Sequence, residues 1–344
     1  MTGIDAGGYR VTIGRGLIGR AALPEGRVFL VTDANVVRAG WPARLAATPT
    51  ATHVLTPGEG HKTLAELEGL TDVLLDHRIE RGDLIVALGG GIVGDMAGLA
   101  AALVKRGCRL VQIPTSLLAM ADAAIGGKTG VNTRHGKNLL GAFKAPEAVL
   151  IDLDTLATLP EAELRAGYAE IVKYGLIGNA DFFAWCEANG RALLAGDAAS
   201  RLHAIETCVR AKLAYVEDDE RDTKGRRALL NFGHSFGHAI EAEGGMAHGF
   251  AVAIGMMMAL RLSHALRLCP AEDVARVAAH FAEVGLPTQP TGLDPQALLE
   301  RMSQDKKAVD GRIRLVLCHG IGRAFLHDEI APKALAAFLA DETT

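Results

Sequence analysis

The texture of the chain changes near residue 155, and that change constrains the fold more than any other feature. Before it, short β-branched runs alternate with helical patterns: RVFLV, THVLT, the helical TLAELEGLTDVLLDH, then DLIVAL and RLVQIP. Strands and helices in alternation fold as a mostly parallel sheet covered on both faces. From Leu156 onward, ELRAGYAEIVKYGLI, ADFFAWCEANGRALL and ASRLHAIETCVRAKLAYVE read as amphipathic helices, with RIRLVLCHG as a hairpin strand and APKALAAFLA as a closing helix. Pro160 followed by Glu161 and Glu163 marks a helix start, with acids in the first turn where the dipole favours them. A chain of 344 residues exceeds what one core usually organises, so the expectation is an α/β domain over residues 1–155, a helical domain over 156–344 and a cleft between them.

Charge narrows the partner. The net charge is −4, with no block of like charge and no basic stripe, which argues against nucleic acid or an anionic membrane surface and favours a small molecule. Cysteines 108, 186, 208, 269 and 318 form no paired framework and no C-x-x-C, as expected of a reduced, cytoplasmic protein. There is no apolar signal core at the N-terminus, and the most apolar run, AVAIGMMMAL, is too short to span a bilayer.

The run ALLNFGHSFGHAIE, residues 228–241, sets His234 and His238 four residues apart in a stretch that otherwise reads as helix. At that spacing both imidazoles leave one face, one turn apart, close enough to share a metal ion and its bound substrate. His248 follows a Gly-rich turn and Glu170 sits on an earlier helix, so a Glu plus His set with one open position can be assembled, as a catalytic zinc site needs. Spacing alone leaves this even with ordinary packing histidines, because twelve His offer chance pairs. Asn231 and Arg227, spaced one turn apart down the same apolar helix, tip it toward a cleft.

Two Gly-rich segments suggest anion binding. Strand DLIVAL runs into GGGIVGD, so Gly89, Gly91 and Gly94 satisfy G-x-G-x-x-G between a strand and a helix, where a backbone turn and a helix N-terminus suit a pyrophosphate. The acidic partner expected about 20 residues later is replaced by Arg109-Leu110-Val111, so a nucleotide here is not held in the ordinary Rossmann manner. The turn AAIGGKTGVNTRHGKN carries Lys128, Lys137 and Asn138 among glycines, which favours phosphate or carboxylate oxygens over a merely solvated loop.

GGGIVGD, RGCRLVQIPTSLLAMADAAIGGKTGVN, GKNLLGAF, TLPEAEL, AEIVKYG, RALLNFGHSFGHAIE and HGFAVAIGM, in that order along almost the whole chain, resemble the 3-dehydroquinate synthase family of sugar phosphate cyclases. The resemblance implies an N-terminal NAD-binding Rossmann-like domain, an all-α C-terminal domain, a divalent metal, usually zinc with cobalt as the other candidate, and a homodimer. It implies Glu170, His234 and His248 as ligands, with His238 facing the substrate as an acid/base group. For NAD it implies Asp33 and Asn35, Glu59 and Lys62, Gly91, Gly94 and Asp95, Thr115 and Ser116, and Thr158, Leu159 and Glu163. For the substrate it implies Asp122, Lys128, Lys137, Asn138, Lys173, Lys212, Arg227, Asn231 and one of Lys306 or Lys307, with Arg106 reaching the neighbouring subunit's site.

The family's substrate is 3-deoxy-D-arabino-heptulosonate 7-phosphate, which is oxidised transiently by NAD, loses phosphate by β-elimination, is reduced again and closes by an internal aldol step to 3-dehydroquinate. This sequence departs from the family's pattern at Phe250, where members often carry Glu, and at Met120, Ala123 and Ala124 around Asp122. One residue is added around DTKGRR, between Lys212 and Arg227. The alternatives are a sister cyclase of the aminodehydroquinate or 2-deoxy-scyllo-inosose type, and a metal-dependent polyol dehydrogenase.

Overall fold

The computed structural model describes residues 1–217, 226–304, 308–309 and 312–343. The chain forms two compact units, Met1–Pro160 with Arg201–Ala214, and Glu161–Ser200 with Tyr215–Thr344.

The first unit is built on strands β1 (Thr2–Asp5), β2 (Arg10–Gly14), β3 (Val28–Asp33), β4 (Ala51–Leu55), β5 (Leu84–Gly89), β6 (Arg109–Pro114), β7 (Lys128–Thr133), β8 (Gly136–Phe143) and β9 (Ala148–Asp152). Its helices are α1 (Ala34–Arg38), α2 (Leu64–Asp76) and α3 (Gly91–Leu103). Seven strands form one sheet in the order β1-β2-β9-β6-β5-β3-β4, parallel throughout except for the β1–β2 pair. Alternation along the strands divides their side chains between two cores. Phe29, Val31, Ile85 and Ala87 pack on the face covered by α2 and α3, while Val28, Leu30, Leu84, Val86 and Leu88 pack on the other, with Trp41 and Val36. Each buried aliphatic side chain contributes about 1.5–3 kcal/mol, and burial on both faces is why these strands read as unbroken apolar runs.

Lys128, Lys137 and Asn138 lie not in an irregular turn but on an antiparallel hairpin, β7 with β8, that stands apart from the main sheet. Nearly all of β8 is exposed, so it carries none of the alternation that marks a half-buried strand.

The second unit holds α4 (Glu161–Gly178), α5 (Ala180–Ala195), α7 (His234–Gly244), α8 (His248–Ala265), α9 (Ala271–Glu283), α10 (Pro295–Gln304) and α11 (Pro332–Thr343). Helix α6 (Ala198–Glu217) begins and ends in this unit, but its residues 201–214 group with the first. A three-stranded antiparallel sheet, β10 (Ala308–Val309), β11 (Arg312–Cys318) and β12 (Ala324–Ile330), completes it. The apolar run AVAIGMMMAL is the buried body of α8, and among the described residues no helix is long and apolar enough to cross a membrane. All five cysteines are buried and free.

Candidate functional site

Helix α8 reaches its neighbours through glycine. A Cβ on Gly249 would overlap the carbonyl oxygen of Ala166 in α4, and one on Gly255 would overlap the carbonyl oxygen of Gly233 just ahead of α7. No other residue permits backbones this close. The first contact sets His248, the opening residue of α8, beside Glu170, one turn beyond Ala166. The second brings in His234, the opening residue of α7.

The three side chains converge: Glu170 Oε1 lies 3.4 Å from His234 Nε2 and 3.7 Å from His248 Nε2, and the three candidate ligand atoms all lie within 4.8 Å of one another. Metal–ligand bonds of about 2.0–2.1 Å at the tetrahedral angle separate ligand atoms by roughly 3.3 Å, so little movement would be needed to close on a zinc-sized ion. The tautomers suit it as well. His234 Nδ1 lies 3.2 Å from the Phe232 carbonyl and His248 Nδ1 lies 3.1 Å from Glu241 Oε2, so both rings turn Nε2 inward. Both Glu170 oxygens are buried without an aligned hydrogen bond, although Lys173 Nζ lies 2.5 Å from Oε2. Lys173 answers Oε2, while Oε1 faces the two imidazoles, where a further cation would find a buried acceptor. The residues fit a divalent metal.

Electrostatics set the two imidazoles apart. Burial pushes Glu170 up, but Lys173 and then His234 outweigh it and hold the carboxyl well below its usual range. Burial also dominates at His234 and lowers its pKa despite Glu170, keeping the imidazole neutral as a ligand must be. At His248, burial is overcome by Glu170 and Glu241 and the pKa rises to about 9, so the metal-free ring is protonated at neutral pH and a cation taking Nε2 would displace that proton.

The stretch before His234 is not a continuous helix. Residues Arg227–Asn231 form a short 3-10 turn, Phe232 leaves it, and Gly233 takes a left-handed φ of 78° before α7 begins. Asn231 and Arg227 therefore do not share a helical stripe with His234; Arg227 is buried and Asn231 half-buried on the preceding turn. His238 is exposed on α7, its ring centroid 5.5 Å from that of His234 and 5.9 Å from that of His248. Lys306 and Lys307 lie outside the described residues. Glu241 was not singled out from sequence as a site residue. Its spacing carries the signal, because it stands seven residues after His234 and three after His238 on one helix, which sets all three on one face.

In the first unit, β5 runs directly into α3 with Gly90 as an N-cap that has no side-chain cap. Small residues line this turn, among them Gly89, Gly91, Gly94 and Ala123. A Cβ on Gly94 would come within 2.9 Å of Gln112 Oε1, and Gln112 Nε2 donates to the Gly94 carbonyl, so the start of α3 packs closely on β6 in a strand-to-helix turn of the kind that suits a pyrophosphate. Beside it the buried Lys62 Nζ donates to Asp95 Oδ2 and to Asn138 Oδ1, each at 2.5 Å, while Glu59 accepts from Asn132 and lies 3.9 Å from Lys137. Burial raises the pKa of Asp95 in spite of Lys62.

Lys212 Nζ donates to the Asp122 carbonyl at 2.6 Å and pairs with its carboxylate, so α6 holds Asp122 although its neighbours Met120, Ala123 and Ala124 are apolar where the family pattern has polar residues. Asp122 itself sits on a π-helical turn, residues 119–123. Asp33 caps α1 by accepting from the backbone of Asn35 and Val36, and exposed Asn35 accepts from Arg38. Thr158 Oγ1 accepts from Trp41 Nε1 at 2.7 Å, next to half-buried Leu159. Thr115 and Ser116 follow β6, with Ser116 Oγ accepting from Ala119 N. Lys128 is exposed on β7, as are Arg106 past the end of α3 and Glu163 on the first turn of α4.

The profile described as 3-dehydroquinate synthase N-terminal matches residues 52–166, and that described as 3-dehydroquinate synthase C-terminal matches residues 167–308. The 3-dehydroquinate synthase of Rhodospirillum rubrum is 49% identical over 96% of this chain and 91% of its own length. Among solved structures, 2-epi-5-epi-valiolone synthase from Streptomyces hygroscopicus with NAD+ and Zn2+ bound gives a TM-score of 0.89 at 30% identity, covering 99% of this chain and 98% of that one. A 2-deoxy-scyllo-inosose synthase complexed with carbaglucose-6-phosphate, NAD+ and Co2+ gives 0.81 at 25% identity, covering 97% of each chain. Profiles that together span most of the chain, and near-half identity over nearly the whole of it, establish that this chain belongs to the 3-dehydroquinate synthase family.

Proposed function

We propose that this chain converts 3-deoxy-D-arabino-heptulosonate 7-phosphate to 3-dehydroquinate and phosphate, a carbon–oxygen lyase reaction of the shikimate pathway that leads to chorismate and the aromatic amino acids. The observation that carries the reading is the convergence of Glu170 with the Nε2 atoms of His234 and His248, in a chain 49% identical to a 3-dehydroquinate synthase. These three would hold zinc or cobalt, and residues 1–155 would hold NAD through Gly91, Gly94, Asp95 and Lys62, with residues 156–344 as the metal- and substrate-binding domain. When bound, the metal lowers the pKa of a substrate hydroxyl and NAD takes and later returns a hydride, so the cofactor is not consumed.

The chain's own groups supply orientation and proton movement. A substrate with a carboxylate and a phosphate needs fixed cationic donors to keep one pose through several steps, and Lys128, Lys137, Lys173, Lys212 and Arg227 would supply them, with Asn138 and Asn231 as neutral partners. His238, exposed on α7 beside the ligand pair, would move protons at its imidazole near neutral pH. The retained Lys and Arg favour this substrate over those of the sister cyclases. A cytoplasmic homodimer completes the reading, with Arg106, exposed beside exposed Leu103, extending to the partner's site.

The test is inorganic phosphate release from the heptulosonate phosphate with NAD present, with and without chelator. Release that stops with chelator, without build-up of NADH, is expected. Steady accumulation of NADH from a polyol would instead assign the chain to metal-dependent dehydrogenases, and turnover only of a sister cyclase's substrate would move it to that branch.

A further inference from the structure

We infer that Glu241 is a positioning residue of the metal centre, fixing the ring of His248 so that Nε2 faces Glu170 and His234; the inference rests on the metal-site reading above. Glu241 Oε2 lies 3.1 Å from His248 Nδ1. An ionised carboxylate only accepts, so this contact requires the proton on Nδ1 and leaves the lone pair of the neutral ring on Nε2. Nε2 is the atom 3.7 Å from Glu170 Oε1.

His234 reaches the same tautomer through a neutral acceptor, the Phe232 carbonyl, and its side chain is only 12% exposed. The His248 side chain is 34% exposed and opens its helix, with less packing to hold its ring, so its orientation depends more on a partner. Glu241 is set for this by α7 itself, seven residues beyond His234 on the same helix, so one element carries both a ligand and the holder of the other imidazole. A carboxylate behind a ligating imidazole also makes it a better donor to a cation.

Metal-free wild type, Glu241→Gln and Glu241→Ala are titrated with Zn2+ against a fluorescent chelator and with Co2+ followed by visible absorption, and their metal-free urea midpoints are compared. Glu241→Ala is expected to lose about 10–100-fold in affinity and to change the Co2+ spectrum. Glu241→Gln, whose amide oxygen still accepts from Nδ1–H, is expected to lose less. Unchanged affinity and spectrum in both variants overturn the inference, as does a lowered urea midpoint with the spectrum of wild type, which is the mark of a merely structural role. If Glu241→Ala does not fold, Glu241→Gln decides alone, and wild-type affinity in it overturns the proposal. A wild type that takes up no stoichiometric metal, or a His234→Ala variant that binds as tightly as wild type, overturns the metal-site reading on which the inference rests.

Discussion

Gly249 and Ala166 meet backbone to backbone, so α8 lies against α4 with no side chain between them, and this contact sets how far His248 stands from Glu170. Gly249→Ala is expected to destabilise the metal-free protein by about 3 kcal/mol, since the obstacle is a carbonyl and cannot rotate away. Gly69→Ala, in α2 with open space around it, is expected to stabilise by up to about 1 kcal/mol. Urea unfolding of both variants checks the contrast; equal small effects would mean that the crossing tolerates a methyl group.

The division of labour among the histidines makes a sharper claim. His234→Ala is expected to lose both metal and turnover. His238→Ala should keep stoichiometric metal while turnover falls by about 10²–10⁴-fold, the usual worth of a positioned acid/base group. Metal content by elemental analysis beside phosphate release distinguishes them, and equal metal loss in the two variants would contradict the assignment.

Lys62 is the only cation drawn against Asp95 by a hydrogen bond among the described residues, and its own side chain is 4% exposed. Lys62→Met should destabilise by about 3 kcal/mol, because it leaves a largely buried carboxylate without its partner, whereas Lys62→Met combined with Asp95→Leu should recover much of the loss. NAD affinity, read by calorimetry, should fall in both. Additive stability losses in the double variant would show that the pair is not coupled.

His280 links stability to pH. Its Nε2 lies 3.0 Å from the Tyr168 hydroxyl, its buried Nδ1 has no partner among the described residues, and burial lowers its pKa despite Glu187 and Glu283. The unfolded chain therefore binds this proton at higher pH than the folded one. The stability owed to the neutral ring is complete above the unfolded pKa of about 6.5 and is lost as pH falls below it, at up to about 1.4 kcal/mol per pH unit. Metal-free wild type should weaken more steeply between pH 7 and 5 than His280→Gln, as read from urea midpoints. Parallel curves would remove His280 from the account.

Much of this was legible in the amino-acid order because burial writes itself into composition. β3, β5 and β6 lie between two covered faces and show as mostly apolar runs rich in Val, Ile and Leu. The β7–β8 hairpin does not, since an exposed strand containing Gly136 and Gly141 looks like a loop. The run ahead of His234 misleads for the opposite reason. Ala-Leu-Leu-Asn-Phe has helical composition, but the left-handed φ at Gly233 is imposed by the helix that crosses it at Gly255, a contact no local pattern encodes. Glu170 and His248 stand out through their neighbours in sequence. The pairing of Glu241 with His248 depends on the connection at 245–247, which brings the start of α8 back beside α7 and leaves no periodic signal.

Helix α6 carries a further consequence. Residues 201–214 group with the first unit although both flanking stretches belong to the second, so neither unit is one uninterrupted piece of polypeptide. Gene fission after Pro160 would strand part of the leading half on the trailing one, including Lys212, the partner of Asp122. Moving the leading half alone into another protein would leave that segment behind, and moving the trailing half alone would carry Lys212 away from Asp122.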